Sequence, residues 1–356
     1  MKKGVWMLGA AIVALTSCTQ SEVLDMAQSK AIGFSTFVEK PTKAVDDITN
    51  DINTGFKEFY VFGAKGTKNA NGVFTSDETI SYYLNDVKVT GGKEHWTYTP
   101  QMPWVAYKTF RFAAYANGKG DGTATVAKLN NVEFVPQEQS SGANANVWGL
   151  NINDYTVSDK DLIVAVPQEK TVGELTTSPG SVGVIFKHAL AKIIFQFTVN
   201  NLSDDTQLQI KQFSFKAAGQ GDCQVRYTGA LEDNNSNGAS WINNVYGDTN
   251  TKDFVFFKND HICTAGNNLD AVYVIPQSNS GRIVGNITIN TLNADDEVIG
   301  THEYKNISLT ISGHTEWKPG YVYRYEANLT PGQQYISFTS SVVTWEDYDN
   351  RNQTIF

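Results

Sequence analysis

Apolar and polar residues alternate along most of this chain, and that period predicts β-strands. Side chains of an extended strand point to opposite faces in turn, so a half-buried strand reads apolar, polar, apolar. FKEFYVFGA (residues 56–64), HWTYTP (95–100), KTFRFAAYA (108–116) and DLIVAV (161–166) follow this pattern. So do VGVIFKHALAKIIFQFTV (182–199), LQIKQFSFKA (208–217), DFVFF (253–257), AVYVIP (271–276), GRIVGNITINTL (281–292), YKNISLTI (304–311) and GYVYRYEANL (320–329). Clusters of Gly, Asn and Asp separate them, and no window of twelve residues carries a helical stripe. Short strands at regular spacing with turn residues between them predict an all-β, Ig-like sandwich architecture rather than alternating strands and helices.

Two of the short runs resemble each other. AIGFSTFV (31–38) lies near the start and YISFTSSV (335–342) near the end. Aligned, they match Ile32 with Ile336, Phe34 with Phe338, Thr36 with Ser340 and Val38 with Val342, each pair two residues from the next. With period two, all four positions share one face. A sandwich lacking a strand presents an apolar groove bordered by unpaired backbone groups, and an added strand fills it with main-chain hydrogen bonds while alternate side chains enter its pockets. The match predicts that residues 32–38 first complete the protein's own sandwich and that 336–342 of a neighbouring molecule later replace them.

The beginning of the chain gives this exchange a setting. Lys2 and Lys3 precede an apolar run from Val5 to Leu15, which ends in LTSC at Leu15 to Cys18. The run is too short for a transmembrane helix, which needs about 20 apolar residues, and it fits a lipoprotein signal with Cys18 as the acylated first residue of the exported form. The net charge of −9 argues against nucleic acid and against polybasic attachment to anionic lipid. The roughly 340 residues beyond Cys18 exceed one core of usual size and predict two domains. Pro167 to Ser181 reads as the change of domain, with the boundary near residue 188. After the first matched strand comes Glu39-Lys40-Pro41-Thr42-Lys43-Ala44. Proline blocks trypsin-like cleavage after Lys40, whereas Lys43-Ala44 is open.

No residue cluster calls for catalysis. The five His show no metal-ligand spacing, and His302-Glu303 lacks a second His. No GxSxG elbow occurs, and NGKGDGT (117–123) has the composition of a turn, not of a phosphate loop. The acidic pairs Asp46-Asp47, Asp204-Asp205 and Asp295-Asp296 read as solvated loops. Cys223 and Cys263 could be linked or remain two buried thiols. Of the seven Trp, three lie in loop-like contexts, Trp104, Trp148 and Trp241, and these carry the competing reading of a surface glycan-binding protein. A glycosidase would need an acidic pair across a cleft, which spacing in a β protein does not reveal.

The lipobox, AIGFSTFV followed by PTKA, FKHALAKIIFQF (186–197), WKPGYVYRYEANL (317–329) and ISFTSSVVTWED (336–347) together resemble the fimbrillin-like family of Bacteroidales surface lipoproteins, the type V pilus subunits. The resemblance implies two transthyretin-like β-sandwich domains in tandem, residues 44–187 and 188–356, after a signal peptide (1–18) and a pro-segment (19–43). It implies export as a lipoprotein through Cys18, cleavage at Lys43-Ala44 by an extracellular trypsin-like protease, and polymerisation with other pilus subunits, with Ile336, Phe338 and Val342 as the donor-strand plugs. Many family members carry Arg where Lys43 stands here. Neither a cofactor nor a metal is expected. Removing residues 1–43 takes five Lys and three acidic residues from totals of 28 and 37, leaving 23 and 34 and a net charge of −11.

Overall fold

A computed structural model describes residues 31–38, 57–78, 81–92, 95–118, 126–137, 148–199, 205–227, 239–242, 251–256, 261–262, 267–268, 271–278 and 283–344. Every regular element among them is a strand. The first half is built on a nine-stranded sheet whose main path runs Phe34–Val38, Val182–His188, Asp161–Ala165, Thr109–Gly118, Glu58–Lys68, Leu84–Gly92, His95–Thr97. Gln168–Thr171 pairs with Thr109–Gly118, and Phe74–Ser76 with Glu58–Lys68. Thr109–Gly118 is buried on both faces along nine consecutive residues, as a strand covered on both sides must be. Val182–His188 instead alternates, with Val182, Val184 and Phe186 buried and the residues between them partly exposed.

Burial on both faces puts Arg111 in the core, 1% exposed. Its guanidinium is satisfied: Nε donates to Glu169 at 2.8 Å and Nη1 to the Pro136 carbonyl at 2.7 Å. Its plane lies over the rings of Phe74 and Trp148, at 4.4 and 4.7 Å. A buried cation is tolerated on these terms and on no weaker ones.

In the second half two five-stranded sheets face each other. One holds Ala191–Val199, Tyr321–Leu329 and Thr339–Thr344, the other Gln207–Ala218, Val284–Leu292 and Val298–Ser308. Between them Phe195 meets Phe213 edge-on at 4.5 Å and stacks on Tyr325 at 5.2 Å. The run WKPGYVYRYEANL turns at Gly320, whose φ of +75° suits a residue without Cβ. It then inserts its tyrosines: Trp317 Nε1 donates to the Tyr325 hydroxyl at 3.0 Å, which donates to the Leu309 carbonyl at 2.7 Å.

The halves are not separable by hydrogen bonding. A four-stranded sheet takes Val132–Val135 and Gly149–Thr156 from before residue 188 and Gln220–Arg226 and Ala239–Ile242 from after it. One contiguous cluster of buried apolar side chains extends from Ile32 to Ile336. The sequence stretch read as a change of domain, Pro167 to Ser181, carries the strand Gln168–Thr171 of the large sheet. The change of sheet falls at Ala189 and Leu190, both fully buried.

Candidate functional site

Residues 31–38 are held on two sides. Phe34–Val38 pairs in parallel with Val182–His188, from Phe34 opposite Val182 to Val38 opposite Phe186. The Val182 amide also donates to the Gly33 carbonyl at 2.8 Å. On the other flank Ala31 bridges Pro103, the Ile32 amide donates to the Met102 carbonyl at 2.8 Å, and the Tyr98 hydroxyl donates to the Ile32 carbonyl at 3.0 Å. Tyr98 and Met102 follow His95–Thr97, the far end of the same sheet. The segment therefore closes a gap between the two edges of one sheet.

Its inward side chains are Ile32 and Phe34, 1% and 5% exposed, while Gly33 and Ser35 between them are half-buried. Phe34 meets Phe59, Tyr98 and Phe112 with ring centroids 5.9, 5.6 and 6.0 Å apart. Burial of two such side chains contributes about 1.5–3 kcal/mol each. Thr36 and Val38 lie in the strand by backbone, and their side chains are outside the described residues.

The groove wall has its own brace. Lys170 Nζ donates to the Pro179 carbonyl at 2.5 Å and lies 5.3 Å from the centre of the Trp104 ring. Burial lowers its pKa. This contact ties down the turn that leads into Val182–His188. Nothing in the sequence pattern marked Lys170; a lysine in a polar run reads as surface.

The second matched segment lies toward the other end of the sequence and pairs within its own chain. Thr339–Thr344 is the edge strand beside Tyr321–Leu329, antiparallel, with Ser340 opposite Tyr325 and Val342 opposite Tyr323. Ile336 and Phe338 precede the strand, and Ile336 is buried. Phe338 is half-buried, its ring 5.7 Å from Phe195, 5.8 Å from Phe197 and 6.0 Å from Tyr325. Val342 packs on the same core, whereas Ser340 is exposed. The structure thus gives both matched segments the same inward set, Ile and Phe, at two places of the core lined by different rings, Phe59, Tyr98 and Phe112 for the first and Phe195, Phe197 and Tyr325 for the second. Cys18, Lys43 and Ala44 lie outside the described residues, as does Cys263.

Other candidates resolve as structure. Trp104 and Trp148 lie outside the strands as their loop-like contexts predicted, but they are 3% and 1% exposed, which corrects their reading as sugar platforms: both are core residues with no free face. Trp241 is half-buried and its Nε1 donates to the Ala189 carbonyl at 2.7 Å. His188, expected to be partly buried, is so, with Nδ1 2.6 Å from Asp161. Asp295 and Asp296 form a tight turn in which the Asn293 side chain accepts from the amides of Asp295 and Glu297. Cys223 is a free, buried thiol, and burial pushes it up to about 12. Among the described residues no group of three His, Cys, Asp or Glu could hold a metal ion.

Known proteins share features with this chain at the level of fold and family. Among solved structures, a fimbrial protein from Bacteroides vulgatus superposes with a TM-score of 0.52 at 17% identity, over 88% of this chain and 99% of that one. A Bacteroides ovatus protein ascribed to cell adhesion superposes with a TM-score of 0.47 at 12% identity, over 89% of this chain and 98% of that one. No curated protein sequence matches. The family model described as fimbrillin-like matches residues 42–345, most of the length and both halves, so the chain belongs to the fimbrillin-like family.

Proposed function

We propose that this chain is a structural subunit of a surface fimbria of the type V kind, assembled by donor-strand exchange and without catalysis or cofactor. It is exported as a lipoprotein through Cys18, displayed at the outer membrane and matured by a trypsin-like protease at Lys43-Ala44. Loss of residues 1–43 empties the groove that Ile32 and Phe34 fill, and Ile336, Phe338, Ser340 and Val342 of a neighbouring subunit take the places of Ile32, Phe34, Thr36 and Val38. The observation that carries this reading is the position of residues 31–38. They lie near the start of the sequence and are joined to two sheet edges, and the near copy toward its end leads into an edge strand. Membership of the fimbrillin-like family and the fold shared with a fimbrial protein support it.

Limited trypsin digestion of the uncut, non-lipidated protein tests it, read by intact mass and by size. The expected result is one cut at Lys43-Ala44 followed by laddered multimers. A cut product that stays a folded monomer would sink the proposal.

A further inference from the structure

Of the strand pairs among the described residues, two are parallel and all others antiparallel. The first parallel pair joins Phe34–Val38 to Val182–His188. The second joins Ala191–Val199 to Tyr321–Leu329, in register from Lys192 opposite Val322 to Val199 opposite Leu329. Only Ala189 and Leu190 separate Val182–His188 from Ala191–Val199 along the chain. Residues 330–335 connect Tyr321–Leu329 to the matched segment 336–342. The two parallel pairs therefore lie in series between the place where a neighbour's strand would enter and the place where this chain's own strand would leave.

Polarity decides how such pairs respond to tension. When one strand of a parallel pair is pulled at its N-terminal end and the other at its C-terminal end, the forces act at opposite ends of the ladder. The strands then slide in shear, and all the inter-strand hydrogen bonds resist together. An antiparallel pair pulled at the same two termini has both forces at one end and opens bond by bond. Parallel ladders are slightly weaker per residue at rest, so their use at these two places calls for a reason.

We infer that the two parallel pairs are the line along which this subunit carries tension; the inference rests on the strand-exchange reading above. A donor strand that takes the direction of Phe34–Val38 is pulled at its N-terminal end, where it leaves its parent subunit. Val182–His188 is pulled at its C-terminal end, through Ala189. That pair is loaded in shear over five paired positions. The force then arrives at the N-terminal end of Ala191–Val199 and departs from the C-terminal end of Tyr321–Leu329, which is shear again, over eight.

The short link between the pairs is clamped against slack. The Ala189 amide donates to the Leu162 carbonyl at 2.8 Å, Trp241 Nε1 donates to the Ala189 carbonyl at 2.7 Å, and the Gly320 amide donates to the Leu190 carbonyl at 2.9 Å. These contacts come from the large sheet, the four-stranded sheet and the turn before Tyr321–Leu329, so the link has a partner on every side. The FKHALAKIIFQF run contains the whole middle of this line.

Single-molecule pulling on the uncut chain tests the inference, with azide-bearing side chains as handles so that native thiols stay untouched. One handle stays at the exposed Tyr335 and the other is placed at residue 30 or at residue 39. The first geometry shears the Phe34–Val38 pair and the second unzips it from the same end. A first rupture force about twofold or more higher for 30/335 than for 39/335 is expected at equal loading rate, because forced opening follows the barrier along the pulled direction. Handles at 192/335 against 199/335 make the same comparison for the second pair, with the same direction of difference. Equal forces within either comparison would overturn the inference. Since these pulls use the unpolymerised subunit, failure of cut protein to assemble would sink the proposed function while leaving the force comparison readable.

Discussion

Phe34 is the side chain at which the packing of the monomer and the proposed assembly meet. Its ring fills a space lined by Phe59, Tyr98 and Phe112, and truncation to Ala in such a place costs about 3–5 kcal/mol. Phe34→Ala is therefore expected to lower the unfolding free energy of the uncut protein by that amount, seen as a lower denaturant midpoint. It should leave cut, assembled material unchanged, since residues 1–43 are then absent. Chemical denaturation of both forms checks this. Arg111 makes a second case at this scale. Glu169→Gln removes the carboxylate that the buried Arg111 and also Lys68 face, a loss of about 3–5 kcal/mol. Neither partner was legible as a pair in the sequence, where they stand 58 residues apart.

At the scale of the element, the C-terminal segment separates two demands. Phe338 serves the core of its own chain before any exchange, so replacing it would weaken the monomer and blur an assembly assay. Ser340 is exposed there, opposite Tyr325. Ser340→Asp is accordingly expected to leave the melting temperature of the uncut monomer within about 1 °C, as for surface substitutions generally. In the groove the same Asp would occupy the Thr36 position, on the face shared with Ile32 and Phe34, where an unpaired carboxylate is costly. Laddering after trypsin should be lost. Retained laddering with a normal melting curve would show that Ser340 does not enter a neighbour's core.

At the scale of the molecule, burial of ionisable groups predicts an alkaline limit. Cys223 is held up to about 12 by burial, and burial likewise raises Tyr323 to about 12 and Tyr115 and Tyr155 further. All four favour the protonated form when folded. Stability from them is complete below their unfolded values and falls as pH rises from about 8.5 for Cys and about 10 for Tyr, because the unfolded chain releases protons first. Denaturant midpoints measured from pH 7 to 11 should decline across that interval. Cys223 should resist alkylation at pH 8 until the protein unfolds, as followed by mass.

The sequence by itself determined the strands, because their signal is local: a period of two needs only neighbouring residues. The runs 56–64, 108–116, 161–166 and 320–329 each mark a strand of the structure, and the inward sets Ile32, Phe34 and Ile336, Phe338 were readable for the same reason. The strands Leu84–Gly92 and Gln220–Arg226 escaped, since Asn, Asp, Gly and Gln interrupt their apolar pattern and only partners distant in sequence make them strands. The burial of Trp104 and Trp148 was illegible because their flanking residues look like loops and the rings that cover them come from elsewhere. Which edge residues 31–38 join, the parallel sense of that pairing, and the four-stranded sheet shared across residue 188 were decided only by tertiary structure. Each depends on surfaces that far-apart segments complete together, and no window of the sequence contains both sides of such a contact.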